Sequence, residues 1–98
     1  MEIPTKVKIC GHEYNVRFDK NLFLTESVGG GKACANMLEI TLADGDFPES
    51  RRAEVFLHEI IEMIKYTLQV DLDHKDLSAI SEVLFAVIRD NNLDFRVV

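Results

Sequence analysis

Tryptophan is absent from these 98 residues, and proline and cysteine occur only twice each. No apolar run approaches ~20 residues, so no segment has the length of a membrane-spanning helix. Basic residues are scarce as well. Eleven Lys and Arg face seventeen Asp and Glu, and the formal net charge is −6. A phosphate-backbone partner requires clustered cations. The one adjacent basic pair, Arg51-Arg52, is surrounded by acids, which excludes nucleic acid from the expected partners. Cys10 and Cys34 belong to no C-x-x-C pair and read as buried or idle thiols of a reducing compartment. The opening stretch "MEIPTKVKIC" carries an acid and a proline and lacks the apolar core of a signal peptide. The expected location is the cytoplasm, with no membrane association.

What is present suits one soluble globular domain over residues 1–98. Hydrophobic residues make up 47% of the chain and charged residues 29%, ordinary values for such a domain. A chain of this size buries roughly 60–70% of its unfolded surface, which is enough for one core without staples.

The first segment alternates. Val7, Ile9, Tyr14, Val16 and Phe18 share one face, while Lys6, Lys8, Asn15 and Arg17 share the other. This is the period of two that marks half-buried strands, here near 5–10 and 13–19, with Gly11-His12 as a two-residue hairpin turn. Leu22-Phe23-Leu24 has the composition of a short strand, and "SVGGGKACAN" that of a loop. Gly29-Gly30-Gly31-Lys32 looks like half a phosphate-binding loop. The complete motif needs Gly where Glu26 stands and Ser or Thr where Ala33 stands, so that reading fails. Leu38, Ile40 and Leu42 alternate with Met37, Glu39 and Thr41 and predict a third strand at about 37–42.

After Asp44-Gly45-Asp46 the period changes. Pro48 and Ser50 offer a helix start, with Ser50 as the N-cap candidate. Leu57, Ile60, Ile61, Ile64 and Leu68 form one helical stripe, and Leu77, Ile80, Leu84, Val87 and Ile88 a second. Asp73 is the expected cap between them. Strands followed by helices predict an α+β fold. The expected architecture is a small antiparallel sheet of about three strands with helices at about 50–69 and 74–91.

The second half contains "FLHEIIEMI", residues 56–64. A zinc peptidase helix reads H-E-x-x-H, and here Glu62 stands at the second histidine. His58 and Glu62 are one turn apart at the margin of the apolar stripe, and Glu59 points about 100° away from His58. Spacing alone also describes a solvated charge row of Glu54, His58, Glu62 and Lys65.

Across residues 5–92 the chain resembles a family of short, often phage- or prophage-encoded proteins with a minimal zincin fold. Its members open with a "K-V-K-I-x-G-H-x-Y-x-V-x-F" hairpin, matched here by Lys6 to Phe18. An "L-x-I" strand follows, matched by Leu38 to Ile40. A Pro-x-Ser entry then leads into a helix "L-H-E-I-I-H-A-I", and the final helix ends in "L-x-x-V-I-R-D-N", matched by Leu84 to Asn91. The resemblance implies a zinc ion held by two helix histidines and a carboxylate of the next helix. It also implies a motif glutamate acting as general base on zinc-activated water, for peptide hydrolysis. In such folds the strand before the motif helix pairs with extended substrate, which points to Leu38, Glu39 and Ile40.

Carried over by position, His58 matches the first ligand, Glu59 the general base and Glu62 the second ligand. The third-ligand position falls at or near Ser78, with His74 and Glu82 each one turn away. His74 would complete a set of two histidines and a carboxylate, the donor set of catalytic zinc sites. Its other reading is an exposed first-turn residue beside the Asp73 cap. Three functions remain open on the sequence. The first is an atypical or degenerate zinc metallopeptidase relative acting on a peptide or protein. The second is a catalytically inactive zincin-fold binding or regulatory module that acts on a host protein. The third is an unrelated α+β protein whose helix only resembles the motif.

Overall fold

The computed structural model describes residues 3–22, 30–45 and 48–93. Phe23 and Leu24 of the Leu22-Phe23-Leu24 stretch, and Glu26 and Gly29 of the glycine-rich loop, lie outside these residues. So do Asp46 and Phe47. Four strands and two helices are described: β1 (Lys6–Ile9), β2 (His12–Asp19), β3 (Gly31–Cys34), β4 (Glu39–Ala43), α1 (Glu49–Leu68) and α2 (His74–Asp90). The class is α+β, as the switch of period implies. No helix among the described residues is long and apolar enough to cross a membrane.

The sheet differs from expectation in number and pairing. Its order is β1-β2-β4-β3. β1 and β2 pair antiparallel, β3 and β4 pair antiparallel, and β2 runs parallel to β4. The sheet is therefore mixed and four-stranded, in place of three antiparallel strands. β3 was hidden because "GKAC" has no apolar alternation of its own. Its order comes from backbone pairing to β4, a long-range contact that local composition does not encode. β4 then pairs with β2 in the parallel sense, a second long-range contact.

In the first hairpin Ile9 pairs with His12, so the turn residues are Cys10 and Gly11, one position earlier than the composition suggested. Their φ values are 51° and 84°. A two-residue turn that matches strand twist needs positive φ at both positions, and Cys10 must adopt a conformation that glycine or asparagine takes more readily. Cys10→Asn is expected to raise stability by about 0.5–1 kcal/mol, read as the urea midpoint at unchanged slope. An unchanged or lower midpoint would contradict the turn assignment. Both cysteines are free and exposed, so neither is a buried thiol.

Ile9, Tyr14, Val16, Ile40, Leu42, Phe56 and Met63 form one buried cluster between the sheet and α1. Phe18, expected on this face, is largely exposed. The faces the helices bury match the expected stripes only in part. On α1 the buried residues are Ala53, Phe56, Glu59 and Met63, while Leu57, Ile60 and Ile61 are half-buried and Ile64 and Leu68 exposed. On α2 they are Leu77, Ser81 and Phe85, while Ile80, Leu84 and Val87 are exposed. The reason is that α1 lies between two partners, sheet and α2, and its apolar arc is shared between them. An i, i+3, i+4 template selects one arc of such a helix without showing which arc meets the sheet.

The helix ends position the site. α1 begins after Pro48 with no side-chain cap bond, and Ser50 lies inside the helix. At the other end Gln69 takes a left-handed conformation (φ 54°), and Val70 N–H donates to the Lys65 carbonyl. That reversal folds the chain back. Asp73 then caps α2 as expected, its carboxylate accepting from the Asp76 N–H at 2.8 Å. His74 is the first residue of α2.

Candidate metal centre

His58 and Glu62 stand one turn apart on α1, and both are half-buried. The chain reversal brings His74 onto them. His74 Nδ1 lies 3.9 Å from Glu62 Oε1, and the His58 and His74 rings meet edge-on with centroids 5.2 Å apart. One ligand atom from each of His58, Glu62 and His74 lies within 4.8 Å of the others. Among the described residues this is the one His/Cys/Asp/Glu group with such convergence. Ligand atoms on a tetrahedral zinc, with bonds of ~2.0–2.1 Å, stand about 3.3 Å apart. The observed spread needs closure by rotation of side chains, and His74 is exposed enough to turn. Two imidazoles and one carboxylate are the donor chemistry of catalytic zinc sites. The residues fit the ion.

The electrostatics suit a ligand. Burial lowers the pKa of His58 beneath the usual histidine value; Glu62 raises it, His74 lowers it further, and Glu54 raises it. The net direction is down, so His58 is neutral at pH 7, with a ring lone pair available.

Glu59 sits differently. Phe56, Glu59 and Met63 form one row of α1 facing the sheet, so a carboxylate occupies a core position and is only 8% exposed. Burial, reinforced by the Glu62 charge, pushes its pKa from 4.5 to about 7. Its side chain lies against the backbone of β3. A Cβ built at Gly31 would be 3.3 Å from both Glu59 Cγ and Oε2, and 2.6 Å from Val55 Cγ1. Gly31 is glycine for want of space.

A cleft of about 300 Å³ opens here, and Gly31, Val55, His58, Glu59, His74, Ser78 and Glu82 help to line it. His58, Glu59 and His74 thus share one concavity, and Glu62 meets it through His74, 3.9 Å away. Ser78 and Glu82 face the cleft but fall outside the converging group. Ser78 Oγ lies 3.5 Å from His74 Nε2.

Leu38, Glu39 and Ile40 are placed otherwise than expected. β4 is a central strand: Glu39 and Ile40 pair with Asn15 and Val16 on one side and with Cys34 and Ala33 on the other. The Leu38 carbonyl already accepts from Asn15 N–H at 2.9 Å. No backbone edge remains there for a substrate. Residues 31–34 have that edge instead, because among the described residues β3 has no partner on its outer side. Sequence reasoning missed Gly31. Its one legible signal was a third consecutive glycine ahead of a short polar stretch.

No protein-family model matches this chain, and no curated protein or solved structure matches it significantly.

Proposed function

We propose that this protein is a small zinc-dependent peptidase of zincin type, with His58, Glu62 and His74 holding the ion and Glu59 as the base. The observation that supports it most is the meeting of three donors from two helices beside a cleft that also contains a buried glutamate. The resemblance of residues 5–92 to minimal zincins points the same way. Zinc held by these residues would supply Lewis acidity for activating water and polarising the scissile carbonyl.

The chain's own groups do the rest. His58, neutral and half-buried, and Glu62 offer ligand atoms from one rigid helix, which limits their motion relative to each other. Glu59 Oε2, shielded between α1 and Gly31, takes a proton from the attacking water and returns it to the leaving amine nitrogen. The outer edge of β3, unpaired among the described residues, accepts extended peptide backbone as an added strand. Such a peptide passes Gly31, and therefore passes Glu59.

Calorimetric zinc titration of the untagged protein tests the ligand set. Wild type is expected to bind with submicromolar affinity, and His58→Ala to lose that binding. Hydrolysis of an unfolded protein substrate by the zinc-loaded form tests the base, with Glu59→Gln slower by about 10²–10⁴-fold at retained zinc content. Failure of wild type to bind, with tight binding by Glu62→His/Ser78→Glu, would instead identify a decayed site. The inactive binding module would then be the better reading.

A further inference from the structure

Ser78 occupies the position where the zincin resemblance expects a ligand, yet a neutral hydroxyl is a poor ligand for zinc. Its place in the structure gives it another use. His74 has two ring nitrogens with different neighbours. Nδ1 faces Glu62 Oε1 at 3.9 Å, and Nε2 faces Ser78 Oγ at 3.5 Å. Both side chains are on α2, four residues apart, so the helix itself sets their approach.

A histidine that ligates through one nitrogen must carry its proton on the other, and that proton needs an acceptor. A hydroxyl can accept as well as donate. Resting on the zinc-peptidase reading above, we infer that Ser78 is a positioning residue for His74. Its Oγ accepts the Nε2 proton, turns the ring, and leaves the Nδ1 lone pair towards Glu62 and the ion.

The position of His74 gives this contact its importance. As the first residue of α2, with a side chain 65% exposed, it has little packing to hold its rotamer. His58 and Glu62 are both half-buried on α1 and need no such support. The third ligand would otherwise lose rotamer freedom on binding, which weakens affinity. Ser81, one turn further along, cannot serve. Its Oγ is buried and donates to the Leu77 carbonyl at 2.7 Å.

The experiment compares wild type, Ser78→Ala and Ser78→Thr, each untagged, by competitive zinc titration and by ¹⁵N NMR of the histidine rings. Removing an outer hydrogen-bond partner of a ligating histidine typically weakens metal binding 10–100-fold. Ser78→Ala is expected to weaken zinc binding by that factor, and Ser78→Thr, which keeps the hydroxyl, to restore most of it. Alanine suits a helix interior, so unfolding would not account for the loss. In the zinc-loaded wild type, the ring shifts should show His74 bound through Nδ1 and protonated at Nε2. Ligation through Nε2 would overturn the assignment. Unchanged affinity in Ser78→Ala would also overturn it, while leaving the zinc reading intact. No zinc binding by wild type would overturn both.

Discussion

Glu59→Gln is expected to make the zinc-free protein more stable at pH 8 by on the order of 3 kcal/mol. The carboxyl titrates near 7 when folded, against 4.5 ordinarily, and every tenfold change in proton affinity corresponds to about 1.4 kcal/mol. The sign follows from proton counts. Between these two values the folded chain holds the Glu59 proton and the unfolded chain does not. Stability therefore falls as pH rises through the window, and is fully penalised above about 7. Below 4.5 both states are protonated, and the stabilising effect of burying a neutral carboxyl is intact. Glutamine keeps the shape and never ionises, so its variant should lack this pH dependence. His58, whose pKa is lowered by burial, works in the opposite direction, with stability rising through the histidine range. The difference between wild type and Glu59→Gln largely cancels that contribution. Urea unfolding of both proteins at pH 4.5, 6 and 8 measures it, and a parallel pair of curves would show that Glu59 is not buried as described. At pH 8 the difference corresponds to roughly 10–20 °C in Tm for a domain of this size.

Such a stabilising substitution at the expected base is itself informative. A buried carboxylate that lowers stability near neutral pH is a common feature of sites built for proton transfer. The same substitution should slow hydrolysis by about 10²–10⁴-fold while strengthening the fold, and that combination separates a working base from an inert core residue.

The second large effect is expected at Gly31. In an unstrained strand, Gly→Ala stabilises by about 0.4–1 kcal/mol through the unfolded chain. Here the sign should reverse. The added Cβ would stand 2.6 Å from Val55 Cγ1, and a valine on a helix has essentially one rotamer, so it cannot turn aside. Either β3 or α1 must move, at a cost of about 1–3 kcal/mol. Glu59, at 3.3 Å from the same point, would have to shift slightly as well. Gly31→Ala should therefore lower both stability and hydrolysis. Val55→Ala should relieve much of the stability loss, with a coupling of about 1 kcal/mol or more in a double-mutant cycle. Additive effects would show that β3 and α1 do not meet at this point.

The α+β class, both helices to within a residue or so at each end, three strands and the Asp73 cap are all legible locally. Each depends on contacts within a few residues, where period and capping chemistry act. The convergence of His58, Glu62 and His74 was partly legible for the same reason: a helical i, i+4 pair, and a histidine placed just after a cap. β3 was not legible, because "GKAC" is ordered by its neighbour and not by its own side chains. Nor was the direction of β4 relative to β2, which is a long-range pairing. That pairing puts Leu38–Ile40 inside the sheet and, among the described residues, leaves residues 31–34 at its edge.

The sequence by itself determined which groups could do chemistry here: His58 and Glu62 at helical spacing, Glu59 beside them and His74 after the next cap, in an acidic chain with few cations. Only the tertiary structure decided which of them is buried. Glu59 follows His58 by a single residue, yet the packing of α1 against β3 buries Glu59 and leaves His58 half-buried on the wall of the same cleft. The helix fixes the angle between them. Which side of that angle faces the sheet is set by how α1, sheet and α2 fill space together, and that depends on residues distant along the chain.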